Sequence, residues 1–258
     1  MRALIILMLF FIQPYPVLSS SVTDMVFISN EPDEQPRRNI QDRIMTAFTN
    51  SFVVQNNSEL VALLDEMAIS YGNSKNSMFL YWQGYAYYYN SIIQLKSSDR
   101  KSAYEELNKG IKTLESIETK NSEDYALLSM LYSFSCQFLS FPEIIHASEH
   151  AAKYIDKALK LDENNLRAYY VLANNDYYTP EVYGGGGKVE QSLLKALSLP
   201  IQSVNNSYSP SWGRQECFEL ITNFYLRKGI KEKARKYIEL GLAEYPDSYT
   251  LQYNKTKL

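Results

Sequence analysis

Apolar residues recur along this chain at intervals of three and four, the spacing that gathers them on one face of an α-helix. Between Gln215 and Ser248 the pattern is clearest. Phe218, Ile221, Thr222 and Tyr225 share one stripe, Gly229 marks a turn, and Ala234, Ile238 and Gly241 form a second stripe ahead of Pro246. The same two-stripe unit recurs upstream with longer connections. Tyr169, Leu172 and Ala173 are answered by Val189, Leu193 and Ala196; Tyr125, Leu128, Ser129 and Tyr132 by Ala151, Ile155 and Ala158. Further back, Trp82, Tyr85, Ala86 and Tyr89 precede Ala103, Leu107 and Gly110, and a degenerate first unit sets Ile44, Ala47 and Phe48 against Leu60, Leu64 and Met67. No segment sustains the alternation of a half-buried strand, so the fold class is all-α.

Each unit mixes large side chains, which build the apolar stripe, with small ones that let two antiparallel helices approach where they cross, and Pro246 stops the last one. Helix starts carry their own signals. Ser140 with Glu143 forms a capping box, and Pro142 sits in the first turn, where its missing N–H costs nothing. The spacing in these units resembles that of the tetratricopeptide repeat (TPR) family, and bacterial exported TPR-like proteins in particular. The run Lys157 to Asp162 is similar to the usual TPR ending, with Glu163 where the family has Pro. The resemblance implies a right-handed α-α superhelix, a TPR-like solenoid of about five helix pairs, each stable only against its neighbours. It implies a scaffold and no catalytic residues.

The N-terminus reads differently. Met1 and Arg2 lead into an apolar run from Ala3 to Ile12, followed by a polar, Pro-containing stretch ending in Val17-Leu18-Ser19. This is the order of a cleavable signal peptide, and it is shorter than the roughly 20 residues a membrane span needs. Residues 1–19 are therefore assigned as signal peptide, 20–38 as a flexible tail, 39–250 as the repeat domain and 251–258 as a C-terminal tail. With Cys136 and Cys217 as the sole cysteines, no lipobox cysteine stands at the cleavage point, and the expected location is periplasmic or secreted without membrane insertion. Both cysteines fall inside helical stripes a whole helix pair apart, the pattern of two buried thiols and not of a bridge.

A formal charge of −3 gives no reason to expect nucleic acid as a partner. The basic residues near the C-terminus, from Arg227 to Lys236, alternate with Glu232 on a helical pattern and read as a solvated face. Two motifs invite chemistry. His146, Glu149 and His150 spell H-x-x-E-H, which on a helix could hold zinc with Glu149 as base, but a catalytic site needs a third ligand that the sequence does not supply. The expectation is no metal and no cofactor, and a zinc-dependent hydrolase stands third among the readings. The insertion from Tyr177 to Tyr183 and Gly184, Gly185, Gly186, Gly187 and Lys188 suggests a phosphate loop, yet Val182 holds the first Gly position and Val189 follows the lysine. It reads as a lengthened turn, with a ligand-contacting lip as the alternative. No Ser-His-Asp, Cys-His or paired-carboxylate set is present.

Composition is unusual in one respect, 22 tyrosines in 258 residues, nine of them crowded into two helices around Tyr85 and Tyr170. The TPR register assigns some to the core and turns Tyr87, Asn90, Met130, Arg167, Tyr170, Asn174, Tyr177 and Asn223 toward a concave groove. Aromatic faces, amides and a few charges suit recognition of a peptide, because tyrosine offers a rigid face and a hydroxyl; tyrosine substituting for Phe or Leu at half-buried positions is the plainer account. The expected function is a protein or peptide-binding scaffold. The alternative is a periplasmic solute-binding accessory similar to the TPR-type T component of TRAP transporters, with a small-molecule ligand in the same groove.

Overall fold

The computed structural model describes residues 39–54, 56–200 and 208–258, so the signal peptide and the tail expected before residue 39 lie outside it. Eleven α-helices and no strand occur among the described residues. They are α1 (Ile40–Val54), α2 (Ser58–Ser74), α3 (Met78–Lys96), α4 (Arg100–Glu115), α5 (Ser122–Ser135), α6 (Phe141–Leu161), α7 (Leu166–Tyr178), α8 (Val189–Ser198), α9 (Arg214–Arg227), α10 (Lys231–Glu244) and α11 (Tyr249–Lys255). None is long and apolar enough to cross a membrane.

Each odd-numbered helix packs on the even-numbered one that follows it, and the odd helices also touch one another in series from α1 through α11. Two layers result. The stripes legible in the sequence are what the pairs bury: Ala147, Ala151, Ile155 and Ala158 on α6, or Phe218, Ile221, Thr222 and Tyr225 on α9. Each large apolar side chain removed from water contributes about 1.5–3 kcal/mol, so the stripe, more than helix propensity, holds each pair together. Small residues set the spacing. A Cβ on Gly84 would lie 2.6 Å from Leu114, and one on Gly110 would lie 3.2 Å from the Gly84 carbonyl, so α3 and α4 cross where neither can carry a side chain. Between α5 and α6, Ser129 and Ser122 hydroxyls donate to the Ala151 and Ala158 carbonyls at 2.8 and 2.9 Å.

Local chemistry fixes the helix ends. Asn121 and Asp124 cap α5 reciprocally, Asn165 accepts the Ala168 N–H at the start of α7, and Glu143 accepts the Ser140 N–H at 2.9 Å before α6. Burial raises the Asp124 carboxyl to about 6, against the Asn121 N–H that favours its ionised form. Cys136 and Cys217 are both buried and unbridged.

The last residues correct the sequence reading. The stretch assigned as a C-terminal tail from 251 belongs instead to α11, which Ser248 caps and whose Leu251 is wholly buried. A Cβ on Gly241 would meet Leu251 at 2.6 Å, so that glycine makes the room α11 needs against α10. The helix is too short to show as a repeat, yet it covers the end of the stack.

Candidate binding site

The residues that lead into α9, Tyr208 to Gly213, reach across the odd-numbered helices. Gln41 on α1 accepts the N–H groups of Ser211 and Trp212 through one side-chain oxygen, at 2.9 and 3.0 Å. On α3, the Trp82 indole N–H donates to the Tyr208 carbonyl at 2.9 Å. The Trp212 indole N–H donates to the Tyr81 hydroxyl at 2.9 Å, and Arg167 on α7 donates to the Trp212 carbonyl at 3.2 Å. Arg167 is itself buried and makes a two-point pair with Glu123 on α5, both contacts at 2.5 Å. A guanidinium out of water is tolerable only with its donors so engaged. Trp212, 4% exposed, thus sits between Tyr85 and Tyr170, with ring centroids 5.7 and 6.1 Å away.

Beyond Trp212 the lining changes from sealed to open. Tyr88, Tyr170 and Asn174 are half-buried, and their polar ends have no partner among the described residues. The unpartnered polar atoms that are fully sealed belong to other residues, namely Ser51, His150, Asn175 and Thr222. The Tyr88 and Tyr170 hydroxyls and the Asn174 amide therefore face accessible space. Glu216 lies beside Trp212 at the start of α9, where its carboxylate accepts the Gly213 N–H at 2.7 Å.

Electrostatics tie these groups to one interior. Burial pushes the Tyr170 hydroxyl well above the usual phenol range, and Glu216, Tyr88, Tyr178 and Tyr89 push it further in that order. Tyr88 is raised by burial, then by Tyr178 and Glu216. Tyr178 is pushed up to about 12, chiefly by burial, with Arg227 pulling the other way. Burial also raises the Glu216 carboxyl. Every phenol here is neutral at ordinary pH and can both donate and accept a hydrogen bond. Aromatic neighbours extend the wall, with Tyr88 4.9 Å from Phe134, Tyr89 4.7 Å from Phe48, and Tyr177 4.9 Å from Tyr178.

Of the residues expected to line a groove, Tyr170 packs edge-on to Trp212, Tyr177 packs on Tyr178, and Asn174 lies between them in sequence on α7. Tyr87 turns the other way: its Cβ abuts the Gly110 position on α4, and its nearest charges are Glu106, Lys109 and Asp65. Asn90 is buried, taking an N–H from Asn57 at 2.8 Å and giving one to Glu106 at 2.7 Å, so its amide is spent joining α2, α3 and α4. Met130 is buried in the main core, Arg167 is engaged as described, and Asn223 accepts from Asn254 of α11 at 2.7 Å.

The glycine insertion is a closed turn. Gly184 and Gly186 both take φ of 86°, which glycine adopts without strain. Its amides are used internally: Gly185 donates to the Pro180 carbonyl, Gly186 to the Asp176 carbonyl, and Lys188 to the Asp176 carboxylate at 2.6 Å. That carboxylate occupies the start of α8, the place an anion would need. Tyr183 and Val182 project into solvent. In the H-x-x-E-H motif, His146 and Glu149 are exposed and 3.8 Å apart, whereas the His150 ring stacks on Tyr132 at 4.8 Å. No group of three metal-binding side chains gathers there or elsewhere among the described residues.

These elements define an all-α protein of stacked helix pairs with a tyrosine-lined interior floored by one tryptophan. The chain is similar in fold to a solved structure, the HusA haemophore from Porphyromonas gingivalis, with a TM-score of 0.53 and 21% sequence identity, covering 76% of this chain and 96% of that one. At that identity the likeness speaks to the fold. No family model and no curated protein matches the sequence. Sequence reasoning missed Trp212 and did not single out Tyr88 or Tyr178 as lining. A signal was present for the first, since Trp212 is a large apolar residue in a Ser- and Pro-containing stretch with no helical stripe to join.

Proposed function

We propose that this chain is an exported, non-catalytic binding protein of TPR-like superhelical form, which holds a compact planar aromatic ligand of the porphyrin class in its tyrosine-lined interior. The observation that carries this reading is the set of open polar ends on Tyr88, Tyr170 and Asn174 amid aromatic faces. Half-buried phenols with unused hydroxyls supply stacking surface together with hydrogen bonds, the combination found in sites for flat ligands. Trp212 closes the other end of the wall, which favours a compact occupant over a long extended one. The haemophore title of the structural neighbour supports the choice of porphyrin as the ligand to test. Export rests on the apolar run from Ala3 to Ile12.

The test is an absorbance titration of the purified protein with haem. A saturable shift of the Soret band at one equivalent, weakened at least tenfold by Tyr170→Ala and by Asn174→Ala, is the expected result, since a lost stacking or hydrogen-bonding partner costs about 1.4 kcal/mol or more per factor of ten. Unsaturable binding, or equal binding by both variants, would refute it.

A second reading keeps the peptide-binding scaffold expected from the sequence. What favours it is the way Gln41, Trp82 and Arg167 read backbone N–H and C=O groups of residues 208–212, the manner in which a helical wall recognises an extended peptide. Pull-down from envelope extract with wild type and Tyr170→Ala separates the two, because a protein partner would be retained in the absence of any porphyrin.

A further inference from the structure

The tyrosine interior is electrically polarised along its depth. Its floor carries the Glu216 carboxyl, which accepts the Gly213 N–H next to Trp212, whose ring packs on Tyr85 and Tyr170. Its rim carries Arg227, the last residue of α9, whose guanidinium lies 3.8 Å from the centroid of the Tyr177 ring and donates to the Tyr177 carbonyl at 3.2 Å. Tyr177 in turn stands edge-on to Tyr178 at 4.9 Å, and the Arg227 charge is felt at both hydroxyls. Arg227 is exposed and no carboxylate pairs with it among the described residues, while the neighbouring Lys228 pairs with Glu181 at 3.3 Å. A guanidinium held over an aromatic ring, with donors left over, can meet a carboxylate on two points.

Resting on the porphyrin-class reading above, we infer that Arg227 is the specificity-determining residue for an anionic edge of the ligand, so that the site takes a planar aromatic carboxylate with its acid groups outward at the rim and its apolar body against the tyrosines. The opposite orientation would set a carboxylate against Glu216 in a poorly hydrated space, where like charges repel most strongly. The two ends of the site thus select both the ligand class and its direction of entry.

The test compares haem, which carries two carboxylates, with haem dimethyl ester, which has the same ring and none, on wild type, Arg227→Gln and Arg227→Lys. Wild type is expected to prefer the diacid by about tenfold, a preference that salt weakens. Arg227→Gln should bind both compounds equally, and Arg227→Lys should keep part of the preference, while helical circular dichroism stays unchanged because Arg227 is exposed. An undiminished preference in Arg227→Gln overturns the assignment and leaves the binding function standing. Failure of wild type to bind either compound overturns the binding function and this inference with it.

Discussion

Replacing Trp212 by alanine takes away the side chain around which α1, α3 and α7 converge. The indole is 4% exposed and spans the space between Tyr85 and Tyr170, so deleting it removes a full aromatic burial and leaves a cavity lined by rings that cannot collapse far. Such truncations cost about 3–5 kcal/mol. The Tyr81 hydroxyl, on a side chain only 1% exposed, also loses the indole donor it accepts from, and an unsatisfied buried polar group adds about 1–3 kcal/mol. Because the cavity and the lost bond share one site, about 5 kcal/mol in total is the expected loss, a large part of the 5–15 kcal/mol that about sums up a domain's stability. Urea unfolding followed by circular dichroism reads this directly. With a slope near ~2.5 kcal/mol/M, the midpoint should fall by about 2 M. Trp212→Phe keeps most of the ring and loses the N–H, so it should cost only about 1–3 kcal/mol. A Trp212→Ala protein within about 1 kcal/mol of wild type would show that residues 208–213 do not hold the odd helices together, and the reasoning would fail.

Three further outcomes follow from single contacts. Glu123→Ala removes the carboxylate that pairs with the buried Arg167 guanidinium and should destabilise by about 3–5 kcal/mol, whereas the isolated loss of a surface pair such as Arg43 with Glu66 should be nearly silent in the same urea experiment. Gly185→Ala would place a Cβ 1.9 Å from the Thr179 carbonyl and should lower the thermal midpoint, while Gly187→Ala meets nothing within 4 Å and should be neutral. Asp124, raised to about 6 by burial, holds its proton in the folded chain above the pH at which the unfolded chain releases it. The unfolded state therefore binds fewer protons between pH 4 and 6, and stability falls as pH rises through that window, by at most ~3 kcal/mol. Comparing wild type with Asp124→Asn across that range isolates the effect, and parallel curves would refute it.

The helices were legible in the sequence because burial on one face imposes a period that survives divergence of the residues themselves. The stripes from Ile44 through Gly241 are the buried faces, and the Ser140 and Glu143 pair marks a helix start in the chain as it does in space. What the sequence concealed depends on contacts between distant segments. Asn90 and Tyr170 look equivalent as polar or aromatic residues on a tyrosine-rich helix, yet Asn90 is consumed by Asn57 and Glu106 while Tyr170 keeps an open hydroxyl. Nothing within α3 or α7 distinguishes them. Trp212 is the extreme case, since its partners Gln41 and Tyr81 lie 171 and 131 residues away and no local pattern predicts them. The glycine insertion erred in the opposite direction: its composition suits an anion site, but Asp176 and Pro180 use the amides that such a site would need.

The central claim is that a ligand occupies the interior bounded by Tyr88, Tyr170, Tyr178 and Trp212. Tyrosine-selective ¹³C labelling, with assignment by Tyr→Phe substitution, reads each ring separately during a titration with a diamagnetic porphyrin. Ring currents should move the Tyr88, Tyr170 and Tyr178 signals together to saturation at one equivalent, with the exposed Tyr253 on α11 unmoved. Shifts confined to surface tyrosines, or none at saturating porphyrin, would contradict the account.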